Sequence, residues 1–242
     1  MRRFLMVALC GLGLAGCDVP VSGPVSGPAP GQMGQTGPGT GMTVGEAARS
    51  FADVVAAVEP VAEAECRARA PRLNCDYLIQ VDADRSAPAN AFQSLDSAGR
   101  PVITFTVALI ASAENADELA FVMSHEAAHH IREHLARQRR NAEAGAVVFA
   151  GLATLTGGTT ADVATAQRLG AAVGARSYSK EFELEADELG TVIAVRAGYN
   201  PLIGAGFFTK IPDPGDKFLG THPPNGDRLA VVRRTAAQLG FN

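Results

Sequence analysis

The run His125-Glu126-Ala127-Ala128-His129 constrains this chain more than any other feature, because its chemistry requires a helix. Two imidazoles at positions i and i+4 lie on one helical face, a single turn apart. There they can hold one metal ion, and the Glu126 carboxylate can reach a water on that ion. Such a water has its pKa lowered to ~7, and a carboxylate that takes its proton completes a centre for hydrolysing amides. The spacing predicts a zinc peptidase. The flanking residues agree with a buried helix. Leu119, Val122, Met123 and Ala127 form an apolar stripe at helical spacing. Asp117 and Glu118 stand in the first turn, where acids favour the helix dipole, and Arg132, Arg137, Arg139 and Arg140 lie toward the other end.

A catalytic zinc usually takes three protein ligands and keeps one position open. The third is not close by in sequence. Arg132 and Leu135 stand where a metzincin would have Gly and His. His130 and His134 sit about 100° and about 140° around the helix from His129. They share a face and are expected to cap, shield or hydrogen-bond rather than ligate. A second amphipathic helix, with Phe182, Ala186, Leu189 and Ile193 as its apolar stripe, carries Glu181, Glu183, Glu185 and Glu188. Glu183 and Asp187 share a neighbouring face one turn apart. In that pair Glu183 would ligate, and Asp187 would accept the free N–H of a ligand histidine and fix its tautomer. Spacing alone leaves Glu181 and Glu185 as rivals to Glu183, although Glu181, Glu185 and Glu188 read as solvated acids.

The two segments together, His125–His134 and Ser179–Asp187, resemble the HtpX-like and Ste-type zinc endopeptidases. That family includes the CAAX prenyl protease, the Oma-type mitochondrial protease and BepA- and LoiP-like periplasmic members. Asn90-Ala91-Phe92, the Pro101–Thr106 stretch and Thr221-His222-Pro223-Pro224 with Arg228 are similar to further family segments. The resemblance covers roughly residues 44–240. It implies a gluzincin-type metallopeptidase domain, one Zn2+ per chain held by His125, His129 and Glu183, and Asp187 beside them. It also implies unfolded or misassembled envelope proteins as substrates. Lys180 stands where the family usually has Arg, which keeps the charge and loses the bidentate fork.

These residues give a mechanism. Glu126 takes a proton from water and returns it to the leaving amine. A developing oxyanion needs a further electrophile, and His222 is the candidate. His222 could equally cap the turn before Pro223-Pro224, or occupy the open metal position and keep the enzyme latent. Substrate is expected as an extended chain paired to an edge strand near Val102–Thr106. The rival class is a zinc-containing chaperone or assembly lipoprotein with little or no proteolysis. A closed structural zinc site would have no need of Glu126.

The N-terminus reads as a leader: Arg2 and Arg3, an apolar run too short to span a bilayer, then Leu14-Ala15-Gly16-Cys17 like a bacterial lipobox. Residues 1–16 would be removed and Cys17 lipidated, so that the protein meets a membrane surface through acyl chains. Which membrane stays open. Loss of Arg2 and Arg3 moves the formal charge from -4 to -6, which argues against nucleic acid as a partner. Residues 17–43 form a Gly/Pro-rich tether, and the metallopeptidase domain runs over 44–242. Cys10 leaves with the leader. Cys66 and Cys75 remain for a disulfide or as two reduced thiols, the oxidising compartment favouring the bridge.

The periodicities predict a helix over Val44–Arg69 that Pro60 kinks or splits, and strands at Tyr77–Val81 and Val102–Thr106. They predict helices near Val107–Ala113, Asp162–Tyr178 and Gly226–Leu239. Ala142–Leu155 reads as a core helix or a flap over the cleft. The sum is a mainly helical α+β domain with a small sheet.

Overall fold

A computed structural model describes residues 42–177, 179–210 and 223–241. The leader, Cys17, the tether as far as residue 41, and His222 lie outside the described residues. The architecture is α+β and mainly helical, with a three-stranded sheet.

Helix α1 (Val44–Arg69) starts on a capping box: Thr43 Oγ1 accepts the Glu46 N–H, and Glu46 reaches back to the Thr43 N–H. Thr43, assigned by sequence to the tether, is thus the first ordered cap of the domain. Val54, Val58, Ala62 and Cys66 bury one face at helical spacing. α1 runs unbroken through Pro60, so the proline does not split it. Pro60 and Ala56, whose carbonyl loses its helical partner, are both exposed, so water can satisfy that carbonyl. Cys66 of α1 is joined by a disulfide to Cys75, just beyond the helix.

Strands β1 (Leu78–Asp82), β2 (Ala91–Leu95) and β3 (Pro101–Thr106) form the sheet in the order β1-β3-β2. β1 runs parallel to β3, and β2 antiparallel to it. Every residue of β3 is buried. The expectation that Val102–Thr106 is an edge is therefore overturned: β3 is central, with a neighbour on each side. β2, not recognised as a strand from its five residues, is an edge. It joins β3 through a turn in which Asp96 Oδ1 accepts from the Ala98 and Arg100 N–H groups and Gly99 takes φ +80°.

Thr106 caps α2 (Val107–Ser112), and Asn115 caps α3 (Ala116–Ile131) by accepting the Glu118 N–H. α3 is the axis of the domain. It packs against α1, the sheet, and α6 (Ser179–Arg196), with Leu119, Met123 and Ala127 of α3 meeting Ala186, Leu189 and Ile193 of α6 in one core. Glu65 of α1, buried, pairs with Arg69 and with Arg196 of α6. Tyr77 donates its hydroxyl to the Ala127 carbonyl and fixes the sheet to α3. A second cluster gathers Phe121 of α3, Ala205 and Phe208 of a 3-10 helix (Ala205–Thr209) following α7 (Pro201–Gly204), and Val232 of α8 (Asn225–Gln238).

In sequence, a hairpin of α4 (His134–Leu155) and α5 (Thr160–Arg176) separates α3 from α6. Their backbones meet closely: a Cβ on Gly145 would stand 2.1 Å from the Gly170 carbonyl oxygen, and one on Gly174 equally close to that of Asn141. The segment Ala142–Leu155 is not a core helix, since Val147, Val148, Leu152 and Leu155 are 60–87% exposed. Nor does it cover the cleft, which only the base of α4 borders. No helix among the described residues is long and apolar enough to cross a membrane.

Candidate metal centre

His125 and His129 project from α3 toward α6. His125 Nε2 and His129 Nε2 are 3.0 Å apart. Glu183 of α6 completes a triangle, with Oε2 3.5 Å from His125 Nε2 and Oε1 3.4 Å from His129 Nε2. Donors about 2.0–2.1 Å from one ion at tetrahedral angles stand roughly 3.4 Å apart. The three residues therefore fit a single divalent ion, and among the described residues they form the group with metal-ligand spacing. Glu181 and Glu188 are exposed and take no part.

The approach of α6 to α3 depends on Gly190. A Cβ there would lie 3.0 Å from both the Cα and the backbone N of His125. A larger residue would push the helix bearing Glu183 and Asp187 away from the helix bearing the histidines.

Each imidazole is oriented from behind. His125 Nδ1 is 2.9 Å from Asp187 Oδ1, so its Nδ1–H donates and Nε2 presents its lone pair forward. Asp187 is fully buried and is held by Arg228 of α8 in a fork: Nε to Oδ2 at 2.8 Å and Nη2 to Oδ1 at 2.7 Å. The Arg228 guanidinium also lies over the Phe208 ring, 3.7 Å from its centroid. Burial disfavours a charged His125, but the bonds to Asp187 and Glu183 outweigh it and hold the imidazole up at about 10. His129 is held well below the usual histidine value by burial and by the neighbouring His125 charge. A cation at this point competes with a proton for His125.

His129 Nδ1 meets His134 Nδ1 at 2.8 Å, and His134 Nε2 meets Glu185 Oε2 at 3.1 Å. Both His130 and His134 hydrogen-bond rather than join the ligand group, as expected, but they do not share a face. α3 ends at Ile131, Glu133 takes a left-handed conformation (φ 54°, ψ 33°), and α4 begins at His134. The break turns His134 back to His129, whereas His130 points away, bonded to the Asn74 carbonyl at 2.8 Å. Glu185 is not a solvated acid either: Arg137 grips it through both terminal nitrogens.

Glu126, beside His125, faces a cleft of about 470 Å³. Burial pushes its carboxyl up to about 7, the His125 charge opposing and the Glu183 charge adding to the shift. The nearby Gln93 backbone opposes the shift, and Gln93 lines the same cleft, which places β2 at the rim. Ala91, Phe92 and Gln93 line one side of the cleft, Phe207 and Phe208 another, and Leu135 closes the end toward α4. Arg228 also borders the cleft, and the sequence had marked it only through the Thr221–Pro224 resemblance.

Comparison with known proteins agrees with this geometry. The family described as Peptidase family M48 matches residues 48–236. The beta-barrel assembly-enhancing protease of Escherichia coli O157:H7 is 33% identical over 154 residues, covering 54% of this chain and 30% of that protein. The protein of the same name from Escherichia coli K12 is 32% identical over 154 residues with the same coverage. A putative beta-barrel assembly-enhancing protease of Vibrio cholerae is 33% identical over 145 residues, again over 54% and 30%. The chain thus spans under a third of the length of these curated relatives.

Proposed function

The chain belongs to peptidase family M48, whose members are metal-dependent peptidases, and on that premise we propose that it is a zinc endopeptidase of the bacterial cell envelope. The observation that carries the reading is the His125–His129–Glu183 triangle with the half-buried Glu126 carboxyl beside it in a cleft. These three residues would hold one Zn2+, which would supply Lewis-acid chemistry to a water and a substrate carbonyl. The chain's own groups do the rest. Glu126, with its pKa raised toward neutrality, accepts the proton of the attacking water and hands it to the leaving nitrogen. Asp187 and Arg228 keep His125 in the tautomer that ligates. Substrate lies extended along β2, the strand edge that borders the cleft, and is read through its backbone more than its side chains. In this reading His222 donates to the oxyanion of the polarised carbonyl.

Backbone reading suits unfolded or misassembled envelope proteins, and the assembly-linked names of the relatives support that class. Removal of residues 1–16, lipidation of Cys17 and a tether to residue 43 would hold the domain at a membrane surface, on its periplasmic side.

The test is cleavage of casein by the purified zinc-loaded protein beside Glu126→Gln. Cleavage by the first alone, with equal zinc in both, is the expected result. Equal zinc with cleavage by neither would instead favour a zinc-stabilised assembly factor.

A further inference from the structure

The two ligand histidines are braced differently. His125 rests directly on a carboxylate, whereas the rear nitrogen of His129 rests on a third histidine. The hydrogen-bond order along this second path is fully determined. If His129 ligates through Nε2, its proton resides on Nδ1. That N–H must donate to His134 Nδ1 at 2.8 Å, so His134 Nδ1 is unprotonated and its proton sits on Nε2. His134 Nε2–H then donates to Glu185 Oε2 at 3.1 Å. The opposite order would leave two N–H groups, or two lone pairs, facing each other.

The groups beyond His134 enforce that order. Glu185 can only accept, and Arg137 fixes both of its oxygens, with Nη1 to Oε2 at 2.5 Å and Nη2 to Oε1 at 3.1 Å. The His134 ring cannot swing away, because it is buried and stacked on Phe182 with centroids 4.7 Å apart and planes 9° from parallel. Phe182 is the neighbour of Glu183, so the same stacking contact ties the brace to the third ligand. Arg137 also lies over the Phe182 ring, 4.3 Å from its centroid.

We propose that His134 is a positioning residue for His129, its tautomer set by Glu185 and Arg137, and that this relay takes the place a carboxylate fills behind His125. The inference rests on the reading of His125, His129 and Glu183 as metal ligands. It assigns a role to the left-handed Glu133, whose conformation aims His134 inward.

The experiment is zinc affinity of the full chain by competition with a chromophoric chelator, with the visible spectrum of the cobalt(II)-substituted protein as a second readout. His134→Phe keeps the stacking on Phe182 and removes both hydrogen bonds. It should weaken zinc roughly 10- to 100-fold and alter the cobalt bands. His134→Gln, whose amide can accept from His129 and donate to Glu185, should restore wild-type affinity to within about threefold. Glu185→Ala, outside the direct contact with His129, should weaken zinc in the same direction and serves if His134→Phe fails to fold. Unchanged affinity in His134→Phe or Glu185→Ala, or equal loss in the Phe and Gln variants, would overturn the relay. Failure of the wild type itself to bind zinc would overturn the metal site instead.

Discussion

Replacing Arg228 by Met should be among the most damaging single changes in this protein. Arg228 and Asp187 are both buried and joined by two short hydrogen bonds. Methionine preserves apolar contact with Phe208 and leaves Asp187 to rest on the His125 N–H. Removing one member of a buried pair costs about 3–5 kcal/mol where the other is left uncompensated, and the His125 imidazole beside Asp187 places this case toward the lower end. That is a large part of the roughly 5–15 kcal/mol that holds a typical domain together. For a domain of this size it lowers Tm on the order of 10 °C. The assay is urea unfolding of metal-free Arg228→Met, Asp187→Asn and the double variant, with EDTA present so that metal binding does not add to stability. Neutralising the stranded carboxylate should restore at least about 2 kcal/mol, making the double variant more stable than Arg228→Met alone. If Arg228→Met costs under about 1 kcal/mol, or Asp187→Asn recovers nothing, the pair is not the buried electrostatic joint described here.

Gly190→Ala should force α6 from α3 by a few tenths of an ångström and cost about 1–3 kcal/mol, read by urea unfolding, with weaker zinc binding in the same variant. Cys66→Ala with Cys75→Ala opens a loop of sequence separation 9, and should lower stability by about 2.5–3 kcal/mol in the chain-entropy account, measured by thermal melts. The third concerns pH in the metal-free protein. Glu126 has a folded pKa raised from 4.5 to about 7, so its contribution is fully present below pH 4.5 and is lost as pH rises toward 7. Glu126→Gln should therefore gain on the wild type across that window, by an amount on the order of 3 kcal/mol at its top. A stability difference between the two that stays flat from pH 4 to about 8 would contradict it.

Local periodicity made much of this structure legible. The apolar stripes of α1, α3 and α6, and the one-turn spacings of His125 with His129 and Glu183 with Asp187, are short-range patterns. Geometry on one helix follows directly from them. What stayed hidden depends on contacts distant in sequence. Glu185 looked like a surface acid because Arg137 is 48 residues away, and Arg228 is separated from Asp187 by 41. Sheet order is equally non-local, so the buried run at Pro101–Thr106 could not be told from an edge, and β2 was too short to declare itself. His134 was misdirected for a different reason. A helical wheel assumes an unbroken helix, and one non-glycine residue with φ 54° at Glu133 ends it. Nothing about a glutamate announces that conformation.

The α4–α5 hairpin leaves the core at His134 and comes back at Ser179, and the stacking of His134 on Phe182 shows how close the exit and the return are. Beyond the level of Asn141 and Gly174 its helices pack mainly on each other. Its length is therefore a free parameter. Whole turns could be removed from or added to both helices together above that level while His129 and Glu183 keep their places. The 54 positions that separate those two residues in sequence measure an excursion, not a distance that the ligand geometry requires. A search for related chains that fixed this interval would reject proteins with the same centre and a longer or shorter arm.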